Sequence, residues 1–199
     1  MRKINNLLKV LLLIISIFFF IYNIVNKEIA YAFIALAILP LISIPSILRK
    51  MKVLLNDSME LIYIIFIVFA LVLGSLFKFY DLIYFYDKLV HFTSGILSAV
   101  VGIYLLVIFK KYDKNNKVFN AIFIFFTSLA VASLWEMFEY TSSIVFKVDP
   151  QRVLTTGVND TMLDIIMAAL ASILVIMMYL YEETNKKKLI IKRFINKLN

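Results

Sequence analysis

Six ionisable residues stand where a lipid-soluble chain has no need of them: Asp87 and His91, Glu136 and Glu139, Asp160 and Asp164. Each pair has i,i+3 or i,i+4 spacing, so on a helix its two side chains share one face about a turn apart. Carboxylates with one imidazole suit Mg²⁺, Mn²⁺, Fe²⁺ or Zn²⁺, and acidic and histidine positions on packed helices are how bundles build metal centres. Asp87, His91, Asp160 and Asp164 are the expected ligands of a divalent metal ion, with Glu136 or Glu139 as general base or added ligand. The corresponding chemistry is metal-assisted hydrolysis or transfer on a lipid or lipid-linked phosphate headgroup. Only Glu-x-x-Glu and Asp-x-x-x-His are present, not the paired Glu-x-x-His of oxidative di-iron bundles, which argues against that centre.

Other readings compete at each position. Asp87 and Asp160 fall near predicted helix N-termini, where a carboxylate caps free amides and meets a favourable dipole. Glu136 and Glu139 fall near a C-terminus, where the dipole opposes them, so capping does not explain them. Were all five carboxylates ionised, pairs about 6 Å apart would repel by roughly 3 kcal/mol each at an effective dielectric near 20. A bound cation, shared protons, or Lys88 and Arg152 must offset this. The polar loop from Thr141 to Asn159 is predicted to cover the site, and Arg152 is its candidate for holding a phosphate or carboxylate; it equally fits a solvated charge.

The elements that carry these residues are set by lipid. The chain has 199 residues, 63% of them hydrophobic, and a mean hydropathy of +0.93, more apolar side chain than a soluble core of this size hides. An all-α, polytopic helical bundle is therefore expected, with spans near residues 7–25, 29–48, 59–77, 90–109, 118–140 and 162–181. These form one membrane domain over 1–185, followed by a basic amphipathic tail over 186–199 that fits an anionic leaflet surface. Asn26, Lys27 and Glu28 predict a tight hairpin between the first two spans. Ala30-Tyr31-Ala32 resembles a signal-peptide cleavage site, but the apolar run resumes at once, which predicts a retained first helix.

Sixteen of the 21 Lys and Arg residues fall at the N-terminus, the second and fourth loops and the tail. The positive-inside rule then places both termini in the cytoplasm and all three ionisable pairs at the extracytoplasmic end. The +8 net charge serves topology and headgroups, so no nucleic-acid partner is expected; the expected partners are membrane lipids and a lipid-headgroup or small-molecule ligand. The absence of cysteine excludes disulfides, thiolate metal sites and thiol nucleophiles.

Small residues continue the faces of the ionisable pairs: Ser94, Gly95, Ser98 and Gly102 beyond His91; Ser128 and Ala132 before Glu136; Ala168 and Ser172 beyond Asp164. They predict close approach of spans four, five and six. The cytoplasmic halves of these spans show few polar residues, and spans one to three read as scaffold. Pro40 and Pro45 predict a kinked or broken second span. Phe77, Phe79, Tyr80, Tyr84, Phe85 and Tyr86 form an aromatic cluster suited to the outer headgroup layer, and Trp135 reads as an interfacial anchor.

Three ordered motifs, Asp87-Lys88-Leu89-Val90-His91-Phe92 with Gly95, Trp135-Glu136-Met137-Phe138-Glu139 and Asp160-Thr161-Met162-Leu163-Asp164, resemble those of the bacterial YjdF-like inner-membrane proteins and, more distantly, of the VanZ-like proteins. The resemblance covers roughly Phe77 to Tyr181. It implies a multi-span protein of the bacterial cell membrane and carries no established activity from the YjdF-like side. The VanZ-like side implies a link to glycopeptide tolerance, but this chain has Glu139 where that pattern has Gln. A small ion- or proton-coupled transporter using the same carboxylates, and a non-catalytic packing module, are the alternatives to headgroup chemistry.

Overall fold

The computed structural model describes residues 1–51, 56–187 and 189–198. Lys52, Lys188 and Asn199, and the side chain of Lys197, belong to the loop and tail read above and lie outside the described residues. Every regular element among the described residues is helical, and six helices are long and apolar enough to cross a membrane. These are α1 (Arg2–Val25), α2 (Ile29–Lys50), α3 (Asp57–Leu76), α4 (Tyr86–Ile108), α5 (Lys117–Phe146) and α6 (Asn159–Thr184). A short α7 (Ile191–Leu198) follows. The chain packs as two units, Met1–Asp87 and Lys88–Asn199.

In the first unit α1 and α2 form the expected hairpin, tied across by the Ser16 hydroxyl, which donates to the Ala35 carbonyl. Contrary to a break, α2 runs on through both prolines. Pro45 has no N–H for the Leu41 carbonyl, and the Tyr63 hydroxyl of α3 donates to that oxygen at 3.1 Å instead. The second half of α3, Val68–Leu76, is wound as a π-helix. Its Phe69 carbonyl accepts the Tyr86 hydroxyl at 2.6 Å, and Gly74 lies under the Tyr80 ring, where a Cβ would collide. The aromatic cluster divides: Phe77 packs on Phe19, and Phe79 and Tyr80 on Tyr86, while Tyr84 and Phe85 are exposed.

Spans one to three are not a purely apolar scaffold. Glu60, 2% exposed, accepts Lys9 Nζ at 2.7 Å, Arg49 Nη2 at 2.6 Å and Asn5 Nδ2 at 3.2 Å. Arg49 also reaches Asp57 at 2.8 Å. One buried carboxylate thus ties α1, α2 and α3 together, with two cations offsetting two anions.

In the second unit α4, α5 and α6 meet along the small residues. A Cβ on Gly95 would lie 2.5 Å from the Ala168 carbonyl oxygen and 2.7 Å from its Cα; one on Gly102 would lie 3.1 Å from Ile124 Cα. Ser128 Oγ donates to the Gly95 carbonyl at 3.2 Å and stands 3.4 Å from that of Ala168, so one hydroxyl touches both neighbouring helices. Helix α5 extends to Phe146, beyond the predicted end at Tyr140, and over this stretch Thr141 and Ser143 turn their hydroxyls back onto the Met137 and Tyr140 carbonyls at 2.8 and 2.7 Å, which leaves neither competing for the helix amides. The covering loop is correspondingly reduced to residues 147–158, with one helical turn at Val153–Thr156.

The tail, read above as basic and amphipathic, folds onto the span before it. In α7, Ile191, Ile195 and Leu198 are buried, and the helix packs on α6. Glu182 of α6 accepts the backbone N–H groups of Leu189, Ile190, Ile191 and Lys192 at 2.8 to 3.2 Å, which satisfies the amides a helix start leaves open. Among the described residues, the six non-glycine positions with positive φ are Lys27, Lys78, Lys110, Lys147, Arg152 and Lys186.

Replacing Gly95 by Ala is expected to push α4 from α6 and lower stability by about 1–3 kcal/mol, measured by unfolding of the purified protein in detergent.

Candidate functional site

The first turns of α4 and α6 and the later part of α5 position the ionisable residues of the second unit. Lys88 lies one residue beyond Asp87 and extends to α6, where Nζ donates to Asp160 Oδ1 at 2.6 Å and to the two Asp164 carboxylate oxygens at 2.9 and 2.8 Å. The lysine considered above as a possible neutraliser is therefore the direct counter-ion of both α6 aspartates. Asp160 spends its carboxylate on this pairing across helices, and the helix cap next to it, at Val158, makes no side-chain bond.

His91 stands one turn into α4 and is buried, 3% exposed. Its Nε2 is 3.8 Å from Glu136 Oε1 and 3.8 Å from Asp164 Oδ1, so one imidazole edge faces carboxylates from two other helices. These separations exceed a hydrogen bond. Glu136 is 5% exposed, and Gln151 of the covering loop donates to its Oε2 at 3.0 Å and to its backbone carbonyl at 3.1 Å. The loop thus closes on the site through Gln151, a contact that the sequence reading left unassigned.

Asp87 rides on the first turn of α4, the helix that continues into the second unit. It precedes His91 by four residues on the same helix face. Glu139 lies a turn beyond Glu136, is half-buried, and accepts the Trp135 indole N–H at 2.9 Å on its own helix. Trp135 is thereby fixed to Glu139. Arg152 is half-buried, has a left-handed backbone, and its carbonyl accepts the Thr155 and Thr156 hydroxyls that shape the loop turn.

Polar residues also continue to the opposite end of these helices, where the sequence showed few. On α5 the buried stripe is Asn120, Ile124, Ser128, Ala132 and Glu136, polar and apolar by turns every four residues. Fully buried Asn120 donates to the Tyr179 hydroxyl at 2.8 Å and to the Asp113 carbonyl at 2.7 Å. Tyr112, in the loop between α4 and α5, donates to Glu183 at 2.6 Å, and Lys192 of α7 reaches the same carboxylate at 3.1 Å. Burial, and then the bond to Glu183, push the Tyr112 hydroxyl well above its usual pKa, so it remains a donor. The i,i+4 repeat from Asn120 to Glu136 was the available signal.

Fold and site together define a helical membrane protein with six candidate spans that buries an acidic and histidine cluster among its last three. The chain belongs to the family described as "Predicted membrane protein (DUF2238)", which matches residues 7–184. An uncharacterized protein of Thermotoga maritima is 33% identical over 97 residues, 48% of this chain and 47% of that protein. The match spans about half the length of this curated relative. No solved structure matches the chain.

Replacing Lys88 by Met leaves Asp160 and Asp164 without their counter-charge. It is expected to destabilise the protein by about 3 kcal/mol, and adding Asp160→Asn with Asp164→Asn should recover much of the loss in unfolding measurements.

Proposed function

We propose that His91, Asp164 and Glu136 form a divalent-cation site that serves chemistry on a phosphate-bearing lipid headgroup. The observation that carries this reading is the position of His91 Nε2, 3.8 Å from both Glu136 Oε1 and Asp164 Oδ1. Donors that share one ion at about 2.0–2.2 Å stand roughly 3 to 3.5 Å apart, so shifts of a few tenths of an ångström bring these atoms to coordination distance. Charge supports it as well: Asp160 and Asp164 share the ammonium of Lys88 at 2.6 to 2.9 Å, and a divalent ion would add positive charge beside them.

Roles follow from these contacts. Asp160, held by Lys88 at 2.6 Å, serves to orient Asp164 and Lys88 more than to bind the ion. Glu136, steadied by Gln151, is either a ligand or the general base, and Glu139 is the alternative base. Arg152, on the covering loop, is the candidate for a phosphate oxygen. A bound ion would polarise the phosphate and acidify a water. The positive-inside count supports a bacterial inner-membrane protein with both termini cytoplasmic and the site at the outer face.

One observation favours a second reading, an ion-coupled transporter. The buried polar positions Asn120, Ser128 and Glu136 continue along α5 from one end of the helix towards the other.

Elemental analysis of the purified protein beside His91→Ala separates the outcomes. One divalent ion per wild-type chain, bound at least about tenfold more weakly by the variant, is the expected result. Metal-free wild type after purification in Mg²⁺, Mn²⁺ and Zn²⁺ defeats the cation reading. Flux into proteoliposomes that responds to an imposed ion gradient favours the transporter over headgroup chemistry.

A further inference from the structure

The loop between α4 and α5 is built more firmly than a surface connection requires. Two of its residues are held from beneath by buried groups: Asn120 donates to the Asp113 carbonyl at 2.7 Å, and Glu183 accepts the Tyr112 hydroxyl at 2.6 Å. Within the loop, the Asp113 carboxylate accepts Asn115 N–H at 2.8 Å, and the Tyr112 amide returns to the Leu106 carbonyl at 3.0 Å. What this frame surrounds is an open cavity of about 430 Å³ lined by Val107, Lys110, Tyr112, Asp113, Lys114 and Asn115.

The lining is polar and carries a net positive charge. Lys110 and Lys114 are exposed and face one carboxylate, that of Asp113, while Lys111 and the half-exposed Lys117 add further positive charge along the same loop. Position matters as much as sign. Helix α4 ends at Ile108 and α5 begins at Lys117, and both are candidate spans, so the cavity lies at the span ends, the level at which a crossing helix meets lipid phosphates. Val107 in the lining offers apolar contact at the level where an acyl chain joins its headgroup.

We propose that this cavity binds the phosphate headgroup of an anionic phospholipid, with Lys110 and Lys114 as the charged contacts and the Asn115 side chain as a neutral hydrogen-bonding partner. Diffuse attraction of lysines to a charged leaflet needs no fixed loop. A loop bolted at Tyr112 and Asp113 keeps the backbone positions from which the two lysines extend fixed, which favours one bound lipid over a smeared layer. The tail reinforces the frame, since Lys192 of α7 shares Glu183 with Tyr112.

The test uses the full-length protein in detergent, titrated with phosphatidylglycerol or phosphatidylcholine and read by native mass spectrometry as lipids retained per chain. Wild type should hold one phosphatidylglycerol in clear preference to phosphatidylcholine. Lys110→Gln with Lys114→Gln should weaken that binding about thirtyfold, whereas Lys110→Arg with Lys114→Arg keeps it and shows that the fold is intact. Equal retention by wild type and the Gln pair, or no preference for the anionic lipid, overturns the proposal. Displacement by inorganic phosphate at the same concentration as the lipid overturns the assignment to a phospholipid. Metal content of the distant cluster is unaffected by any of these results, so the two readings stand or fall separately.

Discussion

The second unit depends on an ammonium group that lipid cannot solvate. Lys88 leaves α4 and ends on Asp160 and Asp164 of α6, and each partner makes the other's burial tolerable. An aspartate buried alone gives up its charge or stays in water; two aspartates sharing a lysine can remain at a helix interface. Because these residues sit in the first turns of their helices, the pairing fixes which faces of α4 and α6 meet. His91, one turn deeper, is then directed at Asp164 and Glu136.

Below this charged layer the helices approach through what they lack. Gly95 lets the Ala168 backbone come where a methyl group would stand, and Gly102 does the same for Ile124. The Ser128 hydroxyl then finds the carbonyls of both neighbours. Hydrophobic driving force between helices is weak in lipid, so close backbone contact and shared hydrogen bonds must supply much of the association. The first unit solves the same problem with Glu60, which gathers Lys9, Arg49 and Asn5 from two other helices, and with Tyr63, which covers a carbonyl that a proline left bare.

The spans were legible in the sequence because each apolar run reaches about the length that hydrocarbon requires, and the meeting of α4, α5 and α6 was legible in glycine, alanine and serine at helical steps. The partners of charged residues were not. Lys88 could as well have turned to water, and Lys9 and Arg49 read as topology signals because a lysine near a span end is ordinarily that. Only the fold shows that Glu60 lies within their reach. The end of α5 was misplaced because Thr141 and Ser143 look like loop residues, while their hydroxyls bond back to the helix that carries them. The Glu182 cap of α7 was equally hidden, since the amides that meet the carboxylate lie seven to ten residues further along the chain.

Five helix ends are followed within one or two residues by a left-handed lysine: Lys27, Lys78, Lys110, Lys147 and Lys186. Glycine would adopt this backbone at less cost, by about 1 kcal/mol or more, yet the chain has only four glycines, and two of them lie at helix contacts. The residue that stops each of these helices is thus also a charge that will not enter hydrocarbon. Turn and water boundary are written in the same side chain and cannot drift apart: an insertion within a span moves both together, and the helix keeps its depth in the bilayer by tilting.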